Sequence, residues 1–186
     1  MSNQVEFKEV KLIEIPIRVD GRGNFRELFL NKDWADLFVQ DNMSFSVPGV
    51  LRGMHWQVSY PQAKLVTVIR GSILDVVVDI RVGSPTFGKW EKFMLIDTDS
   101  GSDFLPRGKL LYVPVGFAHG FYALEESIVM YKCSEYYDQA GSRGFRWDDP
   151  EIGIRWEGFN PIVSDADGRW PSLKEVPKES LPKYEG

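Results

Sequence analysis

Lys64-Leu65-Val66-Thr67-Val68-Ile69-Arg70-Gly71-Ser72-Ile73-Leu74-Asp75-Val76-Val77-Val78-Asp79-Ile80 is the stretch that decides the fold. Branched side chains dominate both halves, and such residues favour the pleated, extended backbone. Each half is too short for an independent helix and the right length for a strand. Lys64 to Arg70 and Ile73 to Ile80 therefore read as two strands, and Gly71-Ser72 between them reads as a hairpin turn. Asp75 and Asp79 stand four residues apart among valines, so on a strand they share one face. If that face is buried they need partners such as Arg81 or a strand hydroxyl, which points to structural ion pairing.

Outward from this centre the same signal repeats. Extended segments are expected over Val5 to Ile15, Phe25 to Leu30, Asn42 to Val47, Phe93 to Ile96, Leu110 to Val113, Gly120 to Ala123 and Ile128 to Cys133. Lys32 to Phe38 reads as a helix with Asn31 as its cap. A short helix is expected near Ser172 to Glu175, and Asp97 to Lys109 reads as a loop. From Asp148 onward the chain is punctuated by Pro and Gly and is expected to wrap the body. Many short strands with regular turn signals and no internal repeat predict an all-β domain, a double-sheet jelly roll with a few short helices, over residues 1–186.

Composition narrows the function. The net charge of −5 argues against a nucleic-acid binder, which needs a basic footprint. No apolar run is long enough for a membrane span. Cys133 is the lone cysteine, so no internal disulfide can form and a reducing, cytoplasmic setting is expected. Neither a phosphate-binding glycine loop nor a dinucleotide fingerprint is present, so an anionic ligand would be held by side chains, arginine being the best suited.

There are two histidines in all. His55 lies in Gly49-Val50-Leu51-Arg52-Gly53-Met54-His55-Trp56-Gln57, and His119 in Val113-Pro114-Val115-Gly116-Phe117-Ala118-His119-Gly120-Phe121. Histidine titrates nearest neutrality and is the natural proton carrier. Two of them on strand-like segments suggest one proton-transfer pocket, and they are too few for imidazole-rich metal ligation. Strict alternation would put Arg52 and His55 on opposite faces unless Gly53 marks a bulge. Lys64, at a strand start, reads either as a solvated lysine or as a cation for a developing oxyanion. Tyr131 reads either as a packing aromatic or as a general acid. Local sequence alone assigns Asp167 no role.

Taken together, these stretches resemble the dTDP-4-dehydrorhamnose 3,5-epimerase family, cupin-like jelly-roll enzymes. The resemblance runs through Asp20-Gly21-Arg22-Gly23-Asn24-Phe25-Arg26-Glu27, Val39 to Ser44, Gly49 to Gln57, Gln62 to Val66, Gly83 to Gly88, Pro114 to Phe121 and Trp147 to Pro150, in order. It implies an isomerase that takes a proton from carbon beside the ketone of a nucleotide-linked 4-keto-6-deoxyhexose and returns one to the opposite face, without metal or cofactor. It implies His55 as base, Asp167 as its carboxylate partner, Tyr131 as acid and Lys64 beside the sugar oxygen. Substrate contacts are implied for Arg22, Glu27, Gln40, Asn42, Arg52 and His119, with Tyr136 or Tyr137 beside the nucleobase and Tyr137 the choice. A homodimer is implied in which each subunit lends residues to its neighbour's site. The chain departs from the family pattern at Ala166, where a lysine is usual, and at Ser142, where a glutamate is usual. Both departures fall where the family contacts the nucleotide. The rival expectations are epimerisation at one carbon on a dTDP- or CDP-linked sugar, a non-catalytic sugar-nucleotide binder and, least favoured, a metal-dependent cupin.

Overall fold

A computed structural model describes residues 3–97, 107–157 and 160–186. Its strands are β1 (Lys11–Asp20), β2 (Gly23–Arg26), β3 (Gln40–Ser46), β4 (Leu51–Gln57), β5 (Lys64–Arg70), β6 (Ser72–Asp79), β7 (Trp90–Ile96), β8 (Arg107–Val113), β9 (Phe117–Ala123), β10 (Ser127–Cys133) and β11 (Ser142–Gly144). Among the described residues the helices are single 3-10 turns, and none is long and apolar enough to cross a membrane. The strands form two antiparallel sheets, one ordered β2-β1-β8-β5-β10-β3 and the other β11-β4-β9-β6-β7. This is the expected all-β, cupin-like jelly roll.

Two apolar layers pack against the five-stranded sheet. Val66, Val68, Ile73, Val77, Leu111, Phe121 and Val129 meet between the two sheets. On the outer face of the five-stranded sheet, Met54, Val76, Val78, Ile80 and Trp90 are covered by Phe145, just after β11, and by Ile152, Leu173, Val176 and Leu181 of the C-terminal segment. Each such side chain contributes roughly 1.5–3 kcal/mol by leaving water. Because β6 has a layer on both faces, it is buried along its whole length, and its run of valines follows from that. Backbone bonds strap the segment down, among them Leu51 N–H to the Ile162 carbonyl (2.9 Å) and Val82 N–H to the Pro182 carbonyl (2.8 Å).

Two local expectations are corrected. Gly71-Ser72 does not close a hairpin: β5 pairs with β8 and β10, whereas β6 pairs with β7 and β9 in the other sheet. Gly71 is a corner between sheets at φ +83°, where a Cβ would lie 2.2 Å from the Glu126 carbonyl oxygen. Local sequence cannot tell the two cases apart, since a tight glycine turn serves either. The helix expected over Lys32 to Phe38 is only a 3-10 turn, Asn31–Asp33, preceded by Leu30 as cap. The rest is held open by edge-on aromatic packing of Phe38 against Phe29 and Trp34, with Trp34 also against Tyr112. Seven residues offer too few intrahelical bonds to compete with that burial. The turn near Ser172 forms as Leu173–Glu175 with a Ser172/Glu175 capping box. Of the expected loop from Asp97 to Lys109, residues 98–106 lie outside the described residues, and Arg107 to Lys109 begin β8.

Gly53 is the bulge that the two-histidine segment required. Between the pairs Arg52↔Phe121 and His55↔His119, β4 has one residue more than β9. Gly53 has φ +140°, and a Cβ there would meet the Cα of Gly120 at 2.6 Å and the His119 carbonyl at 3.2 Å. Gly53→Ala is expected to destabilise the fold by about 2–3 kcal/mol through backbone strain and this clash. Urea denaturation followed by tryptophan fluorescence would measure it, and an unchanged midpoint would refute the close-approach argument.

Candidate active site

The β4 bulge has a chemical consequence. It turns Arg52 and His55 toward the same cavity, of about 950 Å³, between the two sheets. The five-stranded sheet supplies Arg52, His55 and His119. The six-stranded sheet supplies Gln40, Asn42, Lys64, Tyr131 and Cys133. Tyr137 follows β10, and Asp167 and Trp170 come from the C-terminal segment.

The two histidines face each other across the β4–β9 ladder, and each meets its own carboxylate. His55 Nε2 lies 2.5 Å from Asp167 Oδ1. His119 Nε2 lies 2.8 Å from Asp75 Oδ2. A proton on His55 Nε2 donates to Asp167 and leaves Nδ1 with a free lone pair, the tautomer a base requires. Asp167 is nearly buried, and burial alone would raise its proton affinity. The bonds from His55 and the Trp170 indole and the nearby Gly53 amide outweigh burial and hold its carboxyl below the ordinary value, so it is ionised at neutral pH.

The facing wall has the opposite character. Burial first, then Cys133 and Tyr137, raises Tyr131 above the ordinary phenol value, against Arg52, so the hydroxyl keeps its proton. Burial lowers the Lys64 ammonium, and Cys133 and Asp75 offset this only in part. One wall therefore carries a carboxylate-held imidazole, and the other a protonated phenol and a lysine.

Polar residues at the mouth are tied in series. Gln40 donates to Asn42 Oδ1 (2.9 Å) and accepts from Tyr137 N–H (2.9 Å). Gln57 donates to the Tyr60 and Tyr136 carbonyls and accepts from Asp138 N–H. Together they hold the turn that presents Tyr137, a residue 60% exposed whose ring can stack on a flat ligand. Arg52 reaches from β4 to β3, where Nε donates to Ser46 Oγ (3.2 Å) and Nη2 to the Phe45 carbonyl (3.0 Å). A guanidinium has five donors, so others remain for an anion.

Arg22 and Glu27 do not reach this cavity. β2 forms the edge of the six-stranded sheet opposite β3, which carries them away from it. Arg22 is exposed and bonded to Asp20 (2.7 Å), and Glu27 lines a separate groove with Phe25, Leu28 and Trp34. Asp79 has the structural pairing expected of it, with Arg81 (2.8 Å), Ser84 (2.5 Å) and Thr86 (2.6 Å). Asp75 is different: its partner is His119, and its buried Oδ1 has no hydrogen bond. Its place beside the pocket was legible only as a valine-flanked acid. Trp170 had no local signal at all. Among the described residues no group of three or more His, Cys, Asp and Glu could hold a metal ion.

Comparison with known proteins places the chain in a family. The family model described as dTDP-4-dehydrorhamnose 3,5-epimerase matches residues 4–175. A dTDP-4-dehydrorhamnose 3,5-epimerase of Methanothermobacter thermautotrophicus is 45% identical, over 89% of this chain and 90% of its own. Among solved structures, dTDP-6-deoxy-D-glucose-3,5-epimerase from Legionella pneumophila, in complex with dTDP-4-keto-L-rhamnose, superposes with a TM-score of 0.90 at 38% identity, covering 98% of this chain and 97% of that one. A 3′-monoepimerase from Streptomyces bikiniensis, in complex with dTDP-quinovose, gives 0.86 at 31% identity, covering 99% and 93%.

The Asp167 environment makes stability depend on pH. A carboxyl whose folded value is depressed adds stability that is complete above its unfolded value and is lost as pH falls through the folded one. The window therefore lies below about pH 4. Asp167→Asn is expected to cost about 1–2 kcal/mol at neutral pH. The difference from wild type should close in acid below that window, as measured by urea unfolding at several pH values.

Proposed function

The chain belongs to the dTDP-4-dehydrorhamnose 3,5-epimerase family, and from that premise we propose how its cavity carries the reaction. It is an isomerase of deoxysugar biosynthesis that epimerises a dTDP-linked 4-keto-6-deoxyhexose at C3 and C5. One observation carries the assignment of roles: a carboxylate-held imidazole and a protonated phenol line opposite walls of one cavity.

His55 Nδ1 takes the proton from the carbon beside the ketone. The electron pair of the broken C–H bond moves into the ring, and the ketone oxygen becomes an enolate oxygen. Lys64 stabilises that charge, a contribution that grows only as the charge develops. Tyr131 then donates its proton to the same carbon from the opposite face, and the configuration inverts. Asp167 stabilises the imidazolium formed on the way. His119, held by Asp75, contacts the sugar; Gln40, Asn42 and Arg52 take the sugar and diphosphate oxygens, and Tyr137 stacks on the base. Ala166 and Ser142 both line this cavity, so neither position supplies a charge to the nucleotide.

Arg22 and Glu27 fit this reading when they belong to a neighbour's site. The protein is then a homodimer, in which exposed Phe25 (62%), Met43 (73%) and Phe45 (53%) are covered. Support comes from the distance of these two residues from their own cavity and from the apolar side chains left exposed.

Incubation with dTDP-4-keto-6-deoxyglucose in D₂O is expected to place deuterium at both C3 and C5. Exchange at one carbon would make this a monoepimerase, and exchange at neither would overturn the reading. His55→Ala should abolish exchange, and Tyr131→Phe should slow epimerisation by about 10²–10⁴-fold. For the shared site, Arg22→Ala and His55→Ala proteins should each be impaired alone and regain activity when mixed and allowed to exchange subunits. Additive behaviour on mixing would rule shared sites out.

A further inference from the structure

Asp167 Oδ1 accepts twice. His55 Nε2 approaches it at 2.5 Å, and the Trp170 indole N–H donates to it at 3.3 Å. Trp170 follows the 3-10 turn Asp167–Arg169, and its ring meets the His55 imidazole edge-on with centroids 6.5 Å apart. The slot for the indole is built by a glycine. Gly144 lies opposite His55 in the β4–β11 ladder, and a Cβ there would stand 2.6 Å from both Cε2 and Nε1 of the ring. The next residue is pinned as well, since the Pro171 carbonyl accepts from Arg146 N–H (2.8 Å).

The arginines of the cavity strands and of the 3-10 turn are engaged elsewhere. Arg169 donates to the Asp165 carbonyl, Arg143 to the Ala140 and Ser142 carbonyls, and Arg52 to β3. Asp165, just before that turn, is exposed. Among the described residues, His55 and Trp170 are thus the side chains that donate to the Asp167 carboxylate.

We infer that Trp170 is a positioning residue of the proton-transfer site, whose indole N–H fixes the orientation of the Asp167 carboxylate and limits its basicity toward His55. The inference rests on the roles proposed above for His55 and Asp167. A carboxylate with a second donor holds the imidazolium proton less tightly, so His55 gives that proton up again more readily between turnovers. Without the indole N–H, Asp167 draws the proton more strongly and the His55–Asp167 pair stays protonated to higher pH.

The presence of only two histidines makes the test direct. Ring-nitrogen NMR titration of the wild type and of Trp170→Phe reads both, with His55→Gln for assignment. Trp170→Phe is expected to raise the His55 midpoint by roughly half to one pH unit, the scale of one typical net hydrogen bond. His119, held by Asp75 instead, should keep its midpoint. The acidic limb of the exchange rate should move up with His55, while KM changes little. Should Trp170→Phe fail to fold, Gly144→Ala pushes the indole away and should shift His55 alone in the same direction. An unmoved His55 midpoint, or equal movement of both histidines, overturns the inference. The NMR readout needs no substrate, so a wild type inactive on the sugar nucleotide would sink the functional reading and leave this one to be judged separately.

Discussion

The contact between Gly53 and Gly120 is the constraint on which the site depends. Two adjacent strands come closer at this point than any side chain would allow. The extra β4 residue they accommodate breaks strict alternation, so Arg52 and His55 both reach the cavity. It also sets His55 across from His119. With an ordinary ladder here, the arginine and the imidazole would point to opposite faces, and one would be buried in the outer apolar layer that Met54 occupies.

Around that contact the two sheets differ in chemical role. The five-stranded sheet holds imidazoles against buried carboxylates, which favours proton acceptance. The six-stranded sheet holds a phenol kept protonated chiefly by burial and a lysine whose charge burial disfavours. A jelly roll suits such a division, because a ligand between its sheets meets a different set of groups on each side. Proton removal and return from opposite faces of one carbon require that arrangement.

The C-terminal segment contributes to both stability and chemistry. Its apolar residues cover the outer face of β4, β6 and β9 and bury a strand of valines on both sides. The same segment rounds the sheet end and delivers Asp167 and Trp170 to His55. Loosening its packing would therefore cost the imidazole its carboxylate partner as well as part of the core.

Much was determined by sequence alone. Branched runs and turn signals specify strands, because β preference and pleat periodicity are local properties. The ordered motifs around His55, Lys64, His119 and Trp147-Asp148-Asp149-Pro150 carry the family and its chemistry. The tertiary structure decided what depends on distant pairing. Gly71 turns a corner between sheets, which a dipeptide cannot reveal. Phe38 and Trp34 prefer aromatic neighbours to a short helix. Asp75 pairs with a histidine 44 residues away, and Asp167 with one 112 residues away. Trp170 gains its meaning from a glycine on another strand. Local preference acts through a residue's own backbone, whereas a site is assembled by contacts between segments whose separation in sequence says nothing of their distance in space.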